Sequence, residues 1–224
     1  MPGLPAPLAE ALVGGGDGLP KRERTRRQLL QAAMSVYMSR GVAAATIQEI
    51  ARVAGVANGT VYNHFDTLDD IAHGVAFWLA ETLCRRITDS QQGVKEGAER
   101  MAIGNRRYLW LAQQSPAWAV LLLEVAAVAA EGLSQIQEYA LADLRLGVKQ
   151  KAFRIQSEEA AMDLINGTIG AGMRRIAMGL APEDHATAVT TTVLTGLGMG
   201  QKEALAVATR PLPELPPMQQ KEVR

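Results

Sequence analysis

The 224-residue sequence predicts an all-α chain, and three observations predict it. Apolar residues return at helical spacing in one segment after another. Helix starts and stops punctuate them, with Thr46 and Glu49, then Ser157, Glu158 and Glu159 as starts, and Gly41, Gly55 and Gly179 as stops. No alternating β-branched run joined by hairpin turns competes with that reading. The length allows one large or two small domains with ample core.

Residues 1–20 are rich in Pro, Gly and Ala, and are expected to form a disordered leader because they cannot bury enough surface to order themselves. They lack the basic region and apolar core of a secretory signal. From Lys21 a basic arm leads into a helix over 25–40, whose Leu29, Leu30, Ala33, Met34, Val36 and Tyr37 form a core-facing stripe that Gly41 stops.

The stretch from Thr46 to Phe65 carries the most information. Thr46 is placed to cap a helix while Glu49 reaches back in a capping box, and Ile47, Ile50, Ala51 and Ala54 face inward before Gly55 ends the helix. A second helix over 58–64 turns Val61 and Phe65 inward and leaves Asn58, Gly59, Thr60 and Asn63 outside. Small and polar side chains on an outer face suit a helix that enters a major groove and hydrogen-bonds base edges. The same pattern also serves a helical hairpin in an ordinary core.

Asp66, Asp69 and Asp70 precede a long amphipathic helix, Leu68–Ser90, with Ile71, Val75, Trp78, Leu79, Thr82 and Leu83 at heptad-like positions. First-turn carboxylates are favoured by capping and the helix dipole, so no metal is expected there. Further helices are expected over 94–114, 116–130, 132–152, 157–179, 182–198 and 201–208, with Pro116 and Pro182 in first turns. Residues 211–224 form a Pro-rich tail, extended or disordered. The lone Cys84 cannot form an intramolecular disulfide, and a cytoplasmic protein is expected. The most apolar stretch, 117–130, is broken by Glu124 and falls short of the roughly 20 residues that span a bilayer.

Net charge is zero, yet residues 21–65 hold seven basic and two acidic side chains, a net of +5 that leaves −5 on the remainder. A basic front on an acidic body steers one face toward phosphate. The three histidines and one cysteine show no metal-ligand spacing. Gly196, Gly198 and Gly200 follow no strand and lack the spacing of a dinucleotide loop. No enzyme, metal or cofactor is therefore expected.

The residues Tyr37, Gly41, Thr46, Ile50, Ala51, Ala54, Gly55, Val56, Gly59, Thr60, Val61, Tyr62, His64 and Phe65 form a string that resembles the DNA-binding pattern of the TetR family of bacterial transcriptional regulators. That resemblance implies an N-terminal three-helix helix-turn-helix DNA-binding domain, residues 21–67. It would be joined to a larger helical ligand-binding and dimerisation domain, residues 68–210. It also implies that Asn58, Gly59, Thr60 and Asn63 lie in the major groove of an operator, with Thr46, Tyr62 and His64 on phosphates. Where the family commonly has Ser at the start of the recognition helix and Lys at the start of the next, this chain has Ala57 and Leu68. Losing that lysine removes a phosphate contact, for which Arg52 or the basic arm would compensate.

One recognition helix reads few bases, so a homodimer on a palindromic double-stranded operator is expected, with successive major grooves roughly 34 Å apart. Gly167, Gly170, Ala171, Ala186, Val189, Val193 and Leu197 are the expected seam, although glycines also serve as pocket walls. A small-molecule effector is expected between the family's fourth and eighth helices, among Met101, Asn105, Tyr108, Trp110, Trp118 and Phe153. Ligand and operator would then exclude each other, giving a repressor released by its effector. A regulator answering to a protein partner is the alternative, and a void-free body would favour it.

Overall fold

In a computed structural model the described residues are 3–13, 18–129 and 134–216. Among them are eleven helices and no strand: α1 (Ala6–Val13), α2 (Lys21–Arg40), α3 (Ile47–Ala54), α4 (Asn58–Tyr62), α5 (Leu68–Ser90), α6 (Gly97–Gln114), α7 (Pro116–Val128), α8 (Ser134–Lys149), α9 (Glu158–Ala177), α10 (His185–Gly196) and α11 (Gln201–Ala208). Helices α2, α3 and α4 pack as a small front unit. The rest of the chain gathers around α6, which touches α5, α7, α8, α9, α10 and α11. Helix α5 packs on α2 at one end and on α6, α7 and α8 along its length. No described helix is long and apolar enough to cross a membrane.

Local chemistry sets most of the ends. The Ser157 hydroxyl accepts from the Ala160 N–H at 3.0 Å, and Pro116 opens α7 where its missing N–H is harmless. The Asp cluster also works as a cap. Thr67 and Asp70 form a full capping box, with the Thr67 hydroxyl accepting from the Asp70 N–H at 3.1 Å and the Asp70 carboxylate from the Thr67 N–H at 2.9 Å. These bonds hold the exposed Asp70 carboxyl below its ordinary range.

The box expected at Thr46 is incomplete. Thr46 accepts from the Glu49 N–H at 3.2 Å, but the Glu49 carboxylate takes the Thr46 hydroxyl and Arg40, at 2.9 Å, instead of the cap backbone. Pro182 also lies outside its helix, in a turn closed by the His185 N–H on the Pro182 carbonyl, and α10 begins at His185. The basic arm is helical from Lys21, because Pro20 supplies the first helical carbonyl to Arg24.

The expected leader needs a larger correction. Residues 6–13 form α1, which packs on α5 with Leu8 and Leu12 only 3% and 1% exposed. Leu4, Leu8 and Leu12, four residues apart, stand on one face and meet Leu79, Leu83, Leu111 and Trp118. Three leucines at helical spacing outweigh the Pro and Gly around them.

Bare backbone contact holds the body at one crossing. A Cβ on Gly97 would lie 2.3 Å from the Gly147 backbone, so α6 and α8 touch there without side chains. The Phe153 ring covers the other side of Gly147, again 2.3 Å from where a Cβ would stand.

Residues 211–216, beyond α11, are extended and lie on the body. Arg106, Arg107 and Arg86 donate to the carbonyls of Arg210, Pro213 and Pro216, while Leu212 and Leu215 pack on the core. Arg86 and Arg107 are each only 5% exposed. Burial draws the Arg106 and Arg107 guanidiniums below their ordinary value. Residues 217–224 of the expected tail lie outside the described residues.

Truncating a buried leucine that a leader would leave idle tests α1. Leu12→Ala is expected to destabilise the fold by about 2–4 kcal/mol in urea titration, whereas a disordered segment would show no change.

Candidate nucleic-acid interface and internal cavity

The front unit presents α4 outward on a fixed base. Val61 is fully buried and Phe65 is 3% exposed, which turns Asn58, Gly59, Tyr62 and Asn63 to the surface and leaves Thr60 half-buried. Gly55, at φ 69°, ends α3 in the left-handed region, and its N–H returns to the Ala51 and Arg52 carbonyls. The turn into α4 is short because this residue carries no Cβ. Tyr62 is 53% exposed, so its ring and hydroxyl stand on the outer face of α4. A Cβ on Gly59 would meet nothing within 4 Å, so no internal contact requires a glycine there. Glycine inside a helix costs roughly 0.5–1 kcal/mol against alanine. An external surface that approaches the backbone closely gives that sacrifice a purpose.

The basic side chains divide by task. Lys21, Arg22 and Arg24 on the first turn of α2 and Arg52 on α3 are exposed. Arg26 lies 4.2 Å over the Phe65 ring and donates to the His64 carbonyl at 3.1 Å, and Arg27 lies 5.1 Å over Trp78 of α5. These two guanidiniums fasten the chain just after α4 to α2, and α2 to α5. His64 is half-buried, and partial burial with the nearby Arg22 and Arg26 charges lowers its pKa. The imidazole is therefore neutral at neutral pH, an N–H donor without charge. The Thr46 hydroxyl, expected on phosphate, is engaged with Glu49.

A second feature lies in the body, a cavity of about 340 Å³ between α5, α6, α7, α8 and α9. Met101, Asn105 and Tyr108 line it, as the sequence suggests. Trp110, Trp118 and Phe153 do not: Trp110 carries the Arg107 guanidinium at 5.1 Å, Trp118 packs on the α1 leucines, and Phe153 fills the space over Gly147. Bulk alone selected these aromatics, and bulk also fills gaps between helices. The polar wall came from elsewhere, with Cys84, Thr88, Gln91, Asp143 and Asn166 joining Asn105 and Tyr108. Asp143 was legible in principle, because it shares the inward spacing of Ala140, Leu144 and Gly147 on α8.

Cys84, Gln91, Tyr108 and Asp143 on that wall have partners, and the buried Asn105 does not. Arg100 donates to Asp143 at 2.5 Å, and Gln91 donates to its other oxygen at 3.2 Å. Burial pushes the Asp143 carboxyl up, and Arg100 holds it back. The Cys84 thiol and Tyr108 hydroxyl are 3.2 Å apart, and burial raises the thiol to about 11 and the phenol well above its usual value. Both are protonated at neutral pH. The Asn105 amide nitrogen, on a side chain only 4% exposed, has no hydrogen-bond partner among the described residues.

The expected seam divides in the same way. Val193 and Leu197 are fully buried in the chain's own core, so they cannot form an interface, whereas Val189, 8% exposed, lines the outer groove beside Gly172. Gly170 lines the cavity. Gly167 and Ala171 remain on the outer face of α9, in a groove with Arg174, Arg175, Met178 and Leu180.

Known proteins share this arrangement. The pattern described as "Bacterial regulatory proteins, tetR family" matches residues 29–75, and that described as "Tetracyclin repressor-like, C-terminal domain" matches residues 96–210. The HTH-type transcriptional regulator SrpR of Pseudomonas putida is 48% identical over 44 residues, 20% of this chain and 21% of that protein. The HTH-type transcriptional regulator TtgR, also of Pseudomonas putida, is 37% identical over 60 residues, 27% of this chain and 29% of that protein. The chain thus aligns with under a third of the length of these curated relatives. The crystal structure of RolR in complex with resorcinol is 27% identical with a TM-score of 0.72, over 88% of this chain and 98% of RolR. The chain belongs to the TetR family of DNA-binding transcriptional regulators.

Proposed function

We propose that the chain binds a palindromic operator as a homodimer in the cytoplasm, through Asn58, Gly59, Thr60, Tyr62 and Asn63, and releases it when a small molecule fills the cavity. The observation that carries this reading is the cavity itself, since a regulator answering only to a protein partner needs no void in its core. RolR, solved with resorcinol bound, supports a small-molecule ligand.

Helix α5 supplies the coupling. Ala80, Cys84, Ile87, Thr88 and Gln91 line the cavity, while Gly74 and Trp78 on the same helix meet Leu30, Phe65 and Arg27 of the front unit. Helix α7 reinforces the path, because its Leu122, Leu123 and Ala126 line the cavity and its Val128 carbonyl lies 3.1 Å from His73 of α5. A ligand that separates α5 from α7 shifts the pose of α4, and a matched pair of recognition helices loses its spacing. The open groove of Gly167, Ala171, Met178 and Leu180 supports the seam, with Met178 and Leu180 64% and 62% exposed.

Selection of bound fragments from random duplex DNA is expected to return an inverted repeat, and metabolite screening on that operator is expected to find releasing compounds. A ligand that instead tightens operator binding reverses the sign of regulation. Tyr62→Ala and Asn63→Ala are each expected to weaken operator binding by roughly tenfold or more, about 1.4 kcal/mol, with an unchanged melting temperature. Gly59→Ala is expected to separate two quantities that usually move together. It should gain about 0.5 kcal/mol in stability and lose operator affinity, because a methyl group stands where the DNA must approach.

Protonation of His64 supplies a further check. A phosphate beside the ring raises the depressed pKa, so binding takes up a proton. Affinity is expected to rise as pH falls through the bound-state pKa and to level off below the free-state value. His64→Gln is expected to flatten that slope; an equal slope in the variant would remove His64 from the phosphate contacts.

A further inference from the structure

We infer that the cavity takes an uncharged ligand that presents a hydroxyl or carbonyl oxygen to Asn105, beside the Tyr108 hydroxyl, and that it rejects ligands whose buried part carries a carboxylate or phosphate. The inference rests on the proposed reading of this cavity as the effector site and gives it a chemical class.

The first ground is the unfilled donor. Asn105 sits in the middle of α6 with its amide nitrogen buried and unpaired, a position where an apolar side chain would pack without penalty. Gln91, buried on the same wall, spends its amide on the Arg100 carbonyl at 2.8 Å and on Asp143. Among the buried side chains of the wall, Asn105 is the one whose amide nitrogen is left without a partner.

The second ground is charge. None of the described residues lining the cavity is Lys, Arg or His. Its one carboxyl group, Asp143, is already paired with Arg100 at 2.5 Å. The Cys84 thiol and Tyr108 phenol stay protonated. An anion entering this wall loses its water and finds no counter-charge, and a cation has to displace Arg100. A neutral oxygen meets a donor at Asn105 and a hydroxyl at Tyr108.

The third ground is size and lining. About 340 Å³ lies near the lower bound of cavities that hold drug-sized ligands, roughly 300–1,000 Å³. Met101, Met162 and Met173 make much of the apolar wall, a soft lining that adapts to a ring or a short chain.

Hexylresorcinol and para-hexylbenzoate test the class, since they match in size and differ in charge at about pH 7.5. By isothermal titration with the full chain, hexylresorcinol is expected to bind at least tenfold more tightly. Asn105→Leu is expected to weaken that binding roughly tenfold while holding or raising the melting temperature. Gly104→Leu provides a second variant, because a Cβ there meets nothing within 4 Å and the position lines the cavity. It is expected to fold and to abolish binding. Equal or tighter binding of hexylbenzoate, no binding of either probe, or indifference of hexylresorcinol to both substitutions would overturn the inference. Hexylresorcinol that binds as expected yet leaves operator binding unchanged would uphold the ligand class and overturn the proposed release.

Discussion

Helix α5 has to satisfy two cores at once, and its 23 residues divide that work along its length. The first half meets α2, where a Cβ on Gly74 would stand 2.8 Å from Leu30, so the two helices approach as closely as side chains permit. The second half forms one wall of the cavity through Cys84, Ile87, Thr88 and Gln91. A helix of this length spans about 34 Å and bends little. Movement at one end must therefore appear at the other, and the front unit has few other ties to the body. One of them runs from α2 to α7.

The front unit was legible in the sequence because its constraints are local. Gly55 at a left-handed turn, Val61 and Phe65 as inward anchors, and Asn58, Gly59 and Asn63 as outward groups all follow from spacing within twenty residues. The capping of α5 by the Asp cluster follows in the same way, and Thr67 with Asp70 realises it. Thr46 shows the limit of such reasoning. Its spacing to Glu49 fits a box, but Arg40, at the end of the preceding helix, claims the Glu49 carboxylate.

The cavity was only half legible because its wall is a property of five helices together. Met101, Asn105 and Tyr108 lie along one face of α6, so one correct member brought the others. Trp110, Trp118 and Phe153 are equally apolar, and only distance separates filling a gap from lining a void. Buried polar side chains would have been the better guide, since Asp143 and Asn105 occupy core-facing positions where hydrophobic residues are expected. Composition misled in a similar way at the start of the chain, where Pro and Gly obscured three leucines at a four-residue interval.

The segment after α11 has a consequence of its own. Its carbonyls at Arg210, Pro213 and Pro216 meet three arginines at a constant interval of three, the repeat of a polyproline helix. Arg86 and Arg107 are thereby held by main-chain oxygens, which every amino acid supplies. Evolution is free to change many of the letters from 211 to 216 while the lock persists, but it is not free to shorten them. A chain cut just after α11 would leave both guanidiniums without these acceptors, so the segment is constrained in its length more strictly than in its spelling.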